Sequence, residues 1–286
     1  MSWQILIGLH VAFSTIYALL FRKVAQEFPD TPRLSMALIY LLVIFPLGLI
    51  AAFFQGGIDI NMSLQIWIFL VFGGVLFTGF SVFGYMANSH VDATQFAVIQ
   101  NTQAVFTIIV SGLLLGEQLS SEQLIGVAML VIGAIVVSVK GFNRSTFRFS
   151  KWSVVAMISA LFVGAAFSNE KYLLGQMNQQ TYYVFGWGVQ TLVMCLVAGK
   201  EWQQITKFNK KMFTGIMSLG LLRSISGFAG LGALALIDSS LVSSIRSYKS
   251  VLVFIAGYFI LKEKEHVIRK AIGAVLATIG LLLLID

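Results

Sequence analysis

The chain has 286 residues, of which 58% are hydrophobic and only 11% are Asp, Glu, Lys or Arg; an ordinary soluble domain carries about 25% charged residues. With a mean hydropathy of +0.88, this excludes a soluble globular enzyme, a disordered chain and a nucleic-acid-binding domain, so the net charge of +7 has to be read by position along a membrane. One cysteine, Cys195, allows no internal disulfide. Ten apolar runs are each close to the 20 or so residues that a membrane helix needs. They cover roughly 3–21, 34–54, 66–87, 93–115, 123–139, 152–168, 180–199, 212–236, 241–261 and 267–285. The breaks carry charge and turn residues, among them Arg22-Lys23 to Arg33, Gln55 to Asn61 and Lys140 to Lys151. The runs are continuous rather than alternating, which predicts helices and not a barrel. The first run lacks preceding basic residues and a small-residue cleavage site, and reads as a retained span rather than a signal peptide.

The chain repeats itself at an offset of 146. Val91-Asp92-Ala93-Thr94 matches Ile237-Asp238-Ser239-Ser240, and both Asp92 and Asp238 precede a glutamate, Glu117 or Glu263, by 25 residues. Gly74 falls on Gly220, Gly84 on Gly230 and, with one inserted residue, Gly126 and Gly133 on Gly273 and Gly280. The expected fold is an all-α integral membrane protein of ten transmembrane helices in two five-helix repeats, 1–139 and 152–286, joined by a basic loop, 140–151. An odd number of spans per repeat makes the second copy insert upside down. Charge agrees. Loops on the N-terminal side hold one Lys or Arg, Lys171; the other side holds 15, at 22, 23, 33, 140, 144, 148, 151, 200, 207, 210, 211, 262, 264, 269 and 270. The positive-inside rule puts the basic side in the cytoplasm and both termini outside.

These features, with Leu114-Leu115-Gly116-Glu117 followed by Gly126 to Gly133, and Leu261-Lys262-Glu263 followed by Gly273 to Gly280, resemble the EamA type of the drug/metabolite transporter superfamily over nearly the whole chain. The resemblance implies a metabolite transporter of a bacterial inner membrane, with amino-acid export among the family's activities. It also implies a central cavity lined by spans 1, 3, 4, 6, 8 and 9, with spans 5 and 10 peripheral. Several relatives have cytoplasmic termini; the charge count here points the other way.

Three cations lie inside apolar runs: Arg223 in span 8, and Arg246 and Lys249 on one face of span 9. A cation at a helix centre costs roughly 2.5–3.5 kcal/mol on insertion scales and marks a substrate path by default. No Asp or Glu falls inside a predicted run to neutralise them. Arg246 also reads as a side chain that reaches the membrane surface and pairs with Asp238. Offset by 146, Arg246 and Lys249 fall on Gln100 and Gln103, so the two pairs would face one cavity. The amides suit a neutral part of a substrate, or interhelical packing. Ser14, Tyr17 and His10 share a face of span 1, and His10 is the candidate for proton coupling. Tyr85 is a cavity candidate. Tyr182 and Tyr183 read as an interfacial belt, Trp187 as either belt or cavity, and Glu117 and Glu263 as structural. The glycines of spans 3 and 8 suit helices that slide, and those of spans 5 and 10 a packing seam.

The expected function is a secondary transporter, exporter or exchanger, of a small organic anion or zwitterion: a carboxylate, an amino acid or an organic phosphate. No phosphate-binding loop supports ATP drive. Neither a cofactor nor a metal site is expected, because His10, His90 and His266 lack ligand spacing. Partners are the substrate, the lipid bilayer and protons, with the chain acting as a monomer. The alternatives are a lipid-phosphate flippase and, further off, an integral membrane enzyme.

Overall fold

The computed structural model describes residues 2–115, 120–138, 150–234, 236, 249–263 and 265–283, and side chains within these except at 111–115. Helices run α1 (Trp3–Glu27), α2 (Pro32–Gln55), α3 (Leu64–Asn88), α4 (Ala93–Gln100), α5 (Gln103–Leu115), α6 (Ser121–Ser138), α7 (Lys151–Gln176), α8 (Gln179–Lys207), α9 (Lys210–Leu234), α10 (Lys249–Phe259) and α11 (Val267–Leu282). Seven are long and apolar enough to cross a membrane, and α4 with α5, α10 and α11 complete ten crossings.

The local chemistry sets the helix starts. Ser63 and Ser150 accept from the backbone N–H groups of Ile66 and Trp152, and Asn178 accepts from Thr181 at 2.8 Å; each satisfies a donor that the first turn leaves free. Pro32 stands in the first turn of α2, where its missing N–H costs nothing. Pro46 falls inside α2 and cannot donate to the carbonyl four residues back. The helix widens into a π turn at Tyr40–Ile44 immediately before it. The fourth crossing is broken. At Asn101-Thr102 the backbone turns to i→i−3 bonds, Asn101 N to Val98 O and Thr102 N to Ile99 O. The sequence marks this stretch as polar; the structure adds that the α-helical bonding is interrupted there by a tighter turn.

α1 lies along α9, α3 along α7 and α6 along α11. In the last pair Gly280 lies against the Gly126 carbonyl, where an added Cβ would come to 2.6 Å, and Gly133 against the Gly273 carbonyl at 2.9 Å. Backbones that meet this closely leave no room for a methyl group. Gly280→Ala is therefore expected to destabilise by about 1–3 kcal/mol, read as a lowered melting temperature of the purified protein. An unchanged melt would mean that the seam is looser than these distances.

Two helices end later than the apolar runs do. α1 passes through Arg22-Lys23 to Glu27, and α7 passes through Glu170-Lys171 to Gln176. The expectation that no carboxylate lies inside a span fails for this reason: Glu170 is six residues from the end of α7 and 6% exposed. Tyr182 and Tyr183 correct the belt reading. They are 2% and 3% exposed, packed in the main core cluster with Tyr40, Tyr85 and Trp187. The exposed aromatics near a span end are instead Phe53 and Phe54, both 81% exposed.

A charged cavity at the centre of the bundle

The helices enclose a central cavity of about 190 Å³. Aromatic rings form part of its wall, among them Tyr17, Phe21, Phe77, Phe80, Phe96, Phe167 and Trp187, and it carries the charged side chains Glu170, Arg223 and Lys249. Of the residues selected from the sequence, His10, Ser14, Tyr17, Gln100, Gln103, Arg223 and Lys249 all line it. Arg246 lies outside the described residues. Tyr85 is a correction. It is fully buried outside the wall, donates its hydroxyl to the Phe28 carbonyl at 2.8 Å, and packs edge-on against Phe21.

Arg223 is fixed by rings. Its Nη2 donates to the Tyr40 hydroxyl at 2.9 Å, and the guanidinium carbon lies 5.3–5.8 Å from the ring centres of Phe80, Tyr40 and Tyr17. Ring faces attract a cation without neutralising it, so the guanidinium remains able to take an anion. Gln100 donates its amide to Ala156 O at 3.2 Å and Ser159 Oγ at 3.1 Å, while its Oε1 is buried without a hydrogen-bond partner among the described residues. His10 places Nδ1 2.7 Å from the Ser226 carbonyl. Asn101, in the break between α4 and α5, donates to Ser250 Oγ of α10 at 3.0 Å.

The cavity obeys the repeat. At the offset of 146, Phe77 pairs with Arg223, Phe80 with Ser226, Ser81 with Gly227, Ile44 with Gln190 and Gln103 with Lys249, and every member of these pairs lines the wall. Between α1 and α7 the offset is 149. The contact of His10 with the Ser226 carbonyl is matched by Ser159 Oγ donating to the Phe80 carbonyl at 2.9 Å. The connection after α1 is longer than its counterpart after α7, which shifts the register. At 149, Ser14 pairs with Val163, Ala18 with Phe167 and Phe21 with Glu170, again all on the wall. Two copies of one scaffold thus form the cavity, and the second copy supplies Arg223, Lys249 and Glu170.

Beneath the cavity, on the basic side, lies an ion cluster. Arg22, 6% exposed, has Nε 3.6 Å from Glu263 Oε1 and Nη2 3.9 Å from Asp92 Oδ1, and Nη1 donates to the Asn88 carbonyl. Glu263 Oε1 also accepts from the Ala93 N–H at 3.0 Å, at the start of α4. Lys270 of α11 pairs with Asp92. The cluster ties α1, α4 and the connection before α11 together. Burial pushes the Glu263 carboxyl up, and the Ala93 N–H, Arg22 and Lys270 pull it back. Its position against a helix start and a cation agrees with the structural role expected for Glu263; Glu117 lies outside the described residues.

The sequence reading missed Glu170, Tyr40 and Gln190. Tyr40 and Gln190 sit on α2 and α8, helices that the resemblance does not place on the cavity. Among the described residues no group of three or more His, Cys, Asp or Glu could hold a metal.

A comparison with curated proteins gives no match. Among solved structures, one crystal structure superposes with a TM-score of 0.65 over 99% of this chain and 96% of its own, at 15% identity, which speaks for the fold alone. The model of the EamA-like transporter family matches residues 1–139 and again residues 150–286. With two matches spanning nearly the whole chain, one on each half of a duplicated membrane bundle, this protein belongs to the EamA-like transporter family.

Proposed function

We propose that the chain is a secondary transporter that moves a small organic anion or zwitterion through the central cavity by alternating access, not an enzyme. What carries this reading is Arg223: a cation in mid-span, set in the cavity wall by three rings and one hydroxyl. Carboxylate and phosphate oxygens match its forked donors, and Lys249 adds a second cation to the same wall. The buried amide of Gln100, the amide of Gln103 and the hydroxyl of Ser14 serve the substrate's neutral part, and Tyr17 stacks over it while holding Arg223.

The ion cluster of Arg22, Asp92, Glu263 and Lys270 acts as the gate on the basic side, which faces the cytoplasm of a bacterial inner membrane. Opening that side separates α1 from α4 and the connection before α11, so the cluster breaks and re-forms in each cycle. His10 is the candidate for proton coupling, and the duplicated chain completes its cavity as a monomer.

Purified protein should be stabilised to heat by members of a panel of organic phosphates, carboxylates and amino acids, and not by lipophilic cations. A ligand at about 100 times its Kd adds roughly 2.7 kcal/mol. Lys249→Gln and Arg246→Gln are expected to weaken the response. Stabilisation by lipophilic cations alone, unchanged in both variants, would overturn the reading.

A further inference from the structure

The end of α8, Gly199–Lys207, winds as a 3₁₀ helix, a geometry that seldom runs beyond about four residues. Three residues per turn put every third side chain on one face. Trp202, Ile205 and, just past the helix, Phe208 share such a face. Trp202 and Phe208 pack on the main core cluster, and Trp202 Nε1 donates to the Cys195 carbonyl at 3.0 Å. The carboxylate of the segment is engaged: Glu201 Oε2 accepts from the Arg33 and Leu34 N–H groups at 2.9 and 3.0 Å, at the start of α2. Its cations are not. Lys200, Lys207 and, at the start of α9, Lys210 are exposed, with no carboxylate partner among the described residues. Lys211 pairs with Glu27 and Arg33 with Glu201, which brings the connection between α1 and α2, with the exposed Lys23, to the same end of the bundle.

This charge adjoins apolar surface. Leu192 and Leu196 on α8 are 60% and 71% exposed, Ile205 in the segment 44% and Phe213 on α9 47%. The internal repeat shows that the scaffold requires neither the segment nor its lysines. α3 starts at Leu64 and α9 at Lys210, an offset of 146, so residues 56–63 answer to 202–209. In the first half that connection, on the opposite side of the membrane, is irregular, and its one charged residue is Asp59. Two helices of the same scaffold are joined there without a helical segment or a cation.

We propose that the Gly199–Lys207 segment forms a headgroup site for an anionic phospholipid, with the phosphate against Lys200, Lys207 and Lys210 and the acyl chains along Leu192, Leu196 and Phe213. The site uses no residue of the central cavity and does not depend on what the cavity carries. A cluster of Lys and Arg on an amphipathic segment at the membrane surface attracts anionic lipid, and a tryptophan with its N–H satisfied suits the same depth. A soluble anion would engage the lysines and leave the apolar side chains beside them uncovered; a phospholipid covers both.

The test is tryptophan fluorescence of the full chain reconstituted in phosphatidylcholine vesicles. Phosphatidylglycerol or phosphatidylcholine, brominated in the acyl chains, is added as quencher. The part of the quenching that Trp202→Phe removes reports this site. Phosphatidylglycerol is expected to be preferred by about tenfold or more. Replacing Lys200, Lys207 and Lys210 together by Gln should bring the preference to within about twofold; replacing them by Arg should retain it and control for misfolding. Lys151→Gln with Lys262→Gln removes two cations elsewhere on the basic side and should leave most of the preference. Equal quenching by the two lipids, or a preference that survives the triple Gln variant, overturns the proposal. So does a loss in the Lys151 and Lys262 variant as large per charge, because the attraction is then a diffuse one to the whole basic side. Relief of the phosphatidylglycerol quenching by glycerol 3-phosphate would assign the lysines to a soluble phosphate and overturn the lipid site.

Discussion

Arg22→Met is expected to lower stability by about 3 kcal/mol, the largest effect of any single substitution in the cluster. Arg22 is buried, and its Nε and Nη2 face Glu263 and Asp92 at 3.6 and 3.9 Å. Removing one member of a buried ion pair leaves its partners uncompensated, which costs more than the pair itself contributes. Here two carboxylates would share Lys270 as their near cation. Met keeps the aliphatic stem packed, so the loss reports charge and hydrogen bonds rather than a cavity. Adding Glu263→Gln to Arg22→Met should recover part of the loss, since it deletes one of the stranded charges. It keeps an oxygen able to accept from Ala93. A double-mutant cycle on thermal or denaturant unfolding in detergent measures the coupling. A loss under about 1 kcal/mol for Arg22→Met would mean that the cluster is a solvated surface feature and does not hold the basic side shut.

The ten crossings and the repeat were legible because hydropathy and charge are local properties, and because paired Asp-to-Glu spacings survive in both halves. The helix ends were not. Arg22 and Glu170 look like breaks in a hydropathy profile, yet α1 and α7 run through both. A helix backbone does not stop at a charge whose cost is met by partners on other elements: Asp92 and Glu263 for Arg22, the Tyr182 hydroxyl for Glu170. Asp92 and Glu263 are distant in sequence from Arg22, so no window along the chain contains the reason; Tyr182 is near Glu170, but a hydropathy sum does not register a hydroxyl that pairs with a carboxylate. Tyr182 and Tyr183 were misplaced by the same route. They stand close to a span end, but the neighbouring helices cover them and no lipid reaches them. The residues facing the cavity were easier to find, since His10, Ser14, Tyr17, Gln100, Gln103, Arg223 and Lys249 are polar or charged groups on apolar helices and have nowhere else to go. The pairing of Phe21 with Glu170 was hidden by the longer connection after α1, which shifts the register by three residues in helices too uniformly apolar to show it; only the hydrogen bonds of His10 and Ser159 with carbonyls of the partner helices reveal it.

Arg223→Met is expected to behave in the opposite way to Arg22→Met: ligand affinity falls by about a hundredfold while the fold holds or gains stability. Both arginines are cations within helices, so the contrast comes from their partners. Arg22 has carboxylates that its loss would strand. Arg223 has Tyr40, Tyr17 and Phe80, whose rings and hydroxyl remain satisfied or solvated in the cavity without it; Tyr40 keeps Ser81 Oγ at 3.4 Å. The other half of the molecule already carries the answer for stability, because Phe77 fills the equivalent place and packs there, 7% exposed. Relieving a mid-span cation of its insertion cost, roughly 2.5–3.5 kcal/mol, offsets the rings' attraction of about 0.5–2 kcal/mol. For binding, removing a charge-assisted hydrogen bond from a low-dielectric site costs about 2.7 kcal/mol, which is two orders of magnitude in Kd. Arg223→Lys separates charge from shape: the ammonium keeps the sign but lacks the fork and the flat face that lies against the rings, so it should bind anions more weakly than wild type and more tightly than Arg223→Met. Paired melting curves and titrations of these two variants, with whichever anion stabilises the wild type, decide the matter. Should Arg223→Met melt well below wild type and bind the anion unchanged, the guanidinium is a structural strut and the cavity's anion site rests on Lys249 alone.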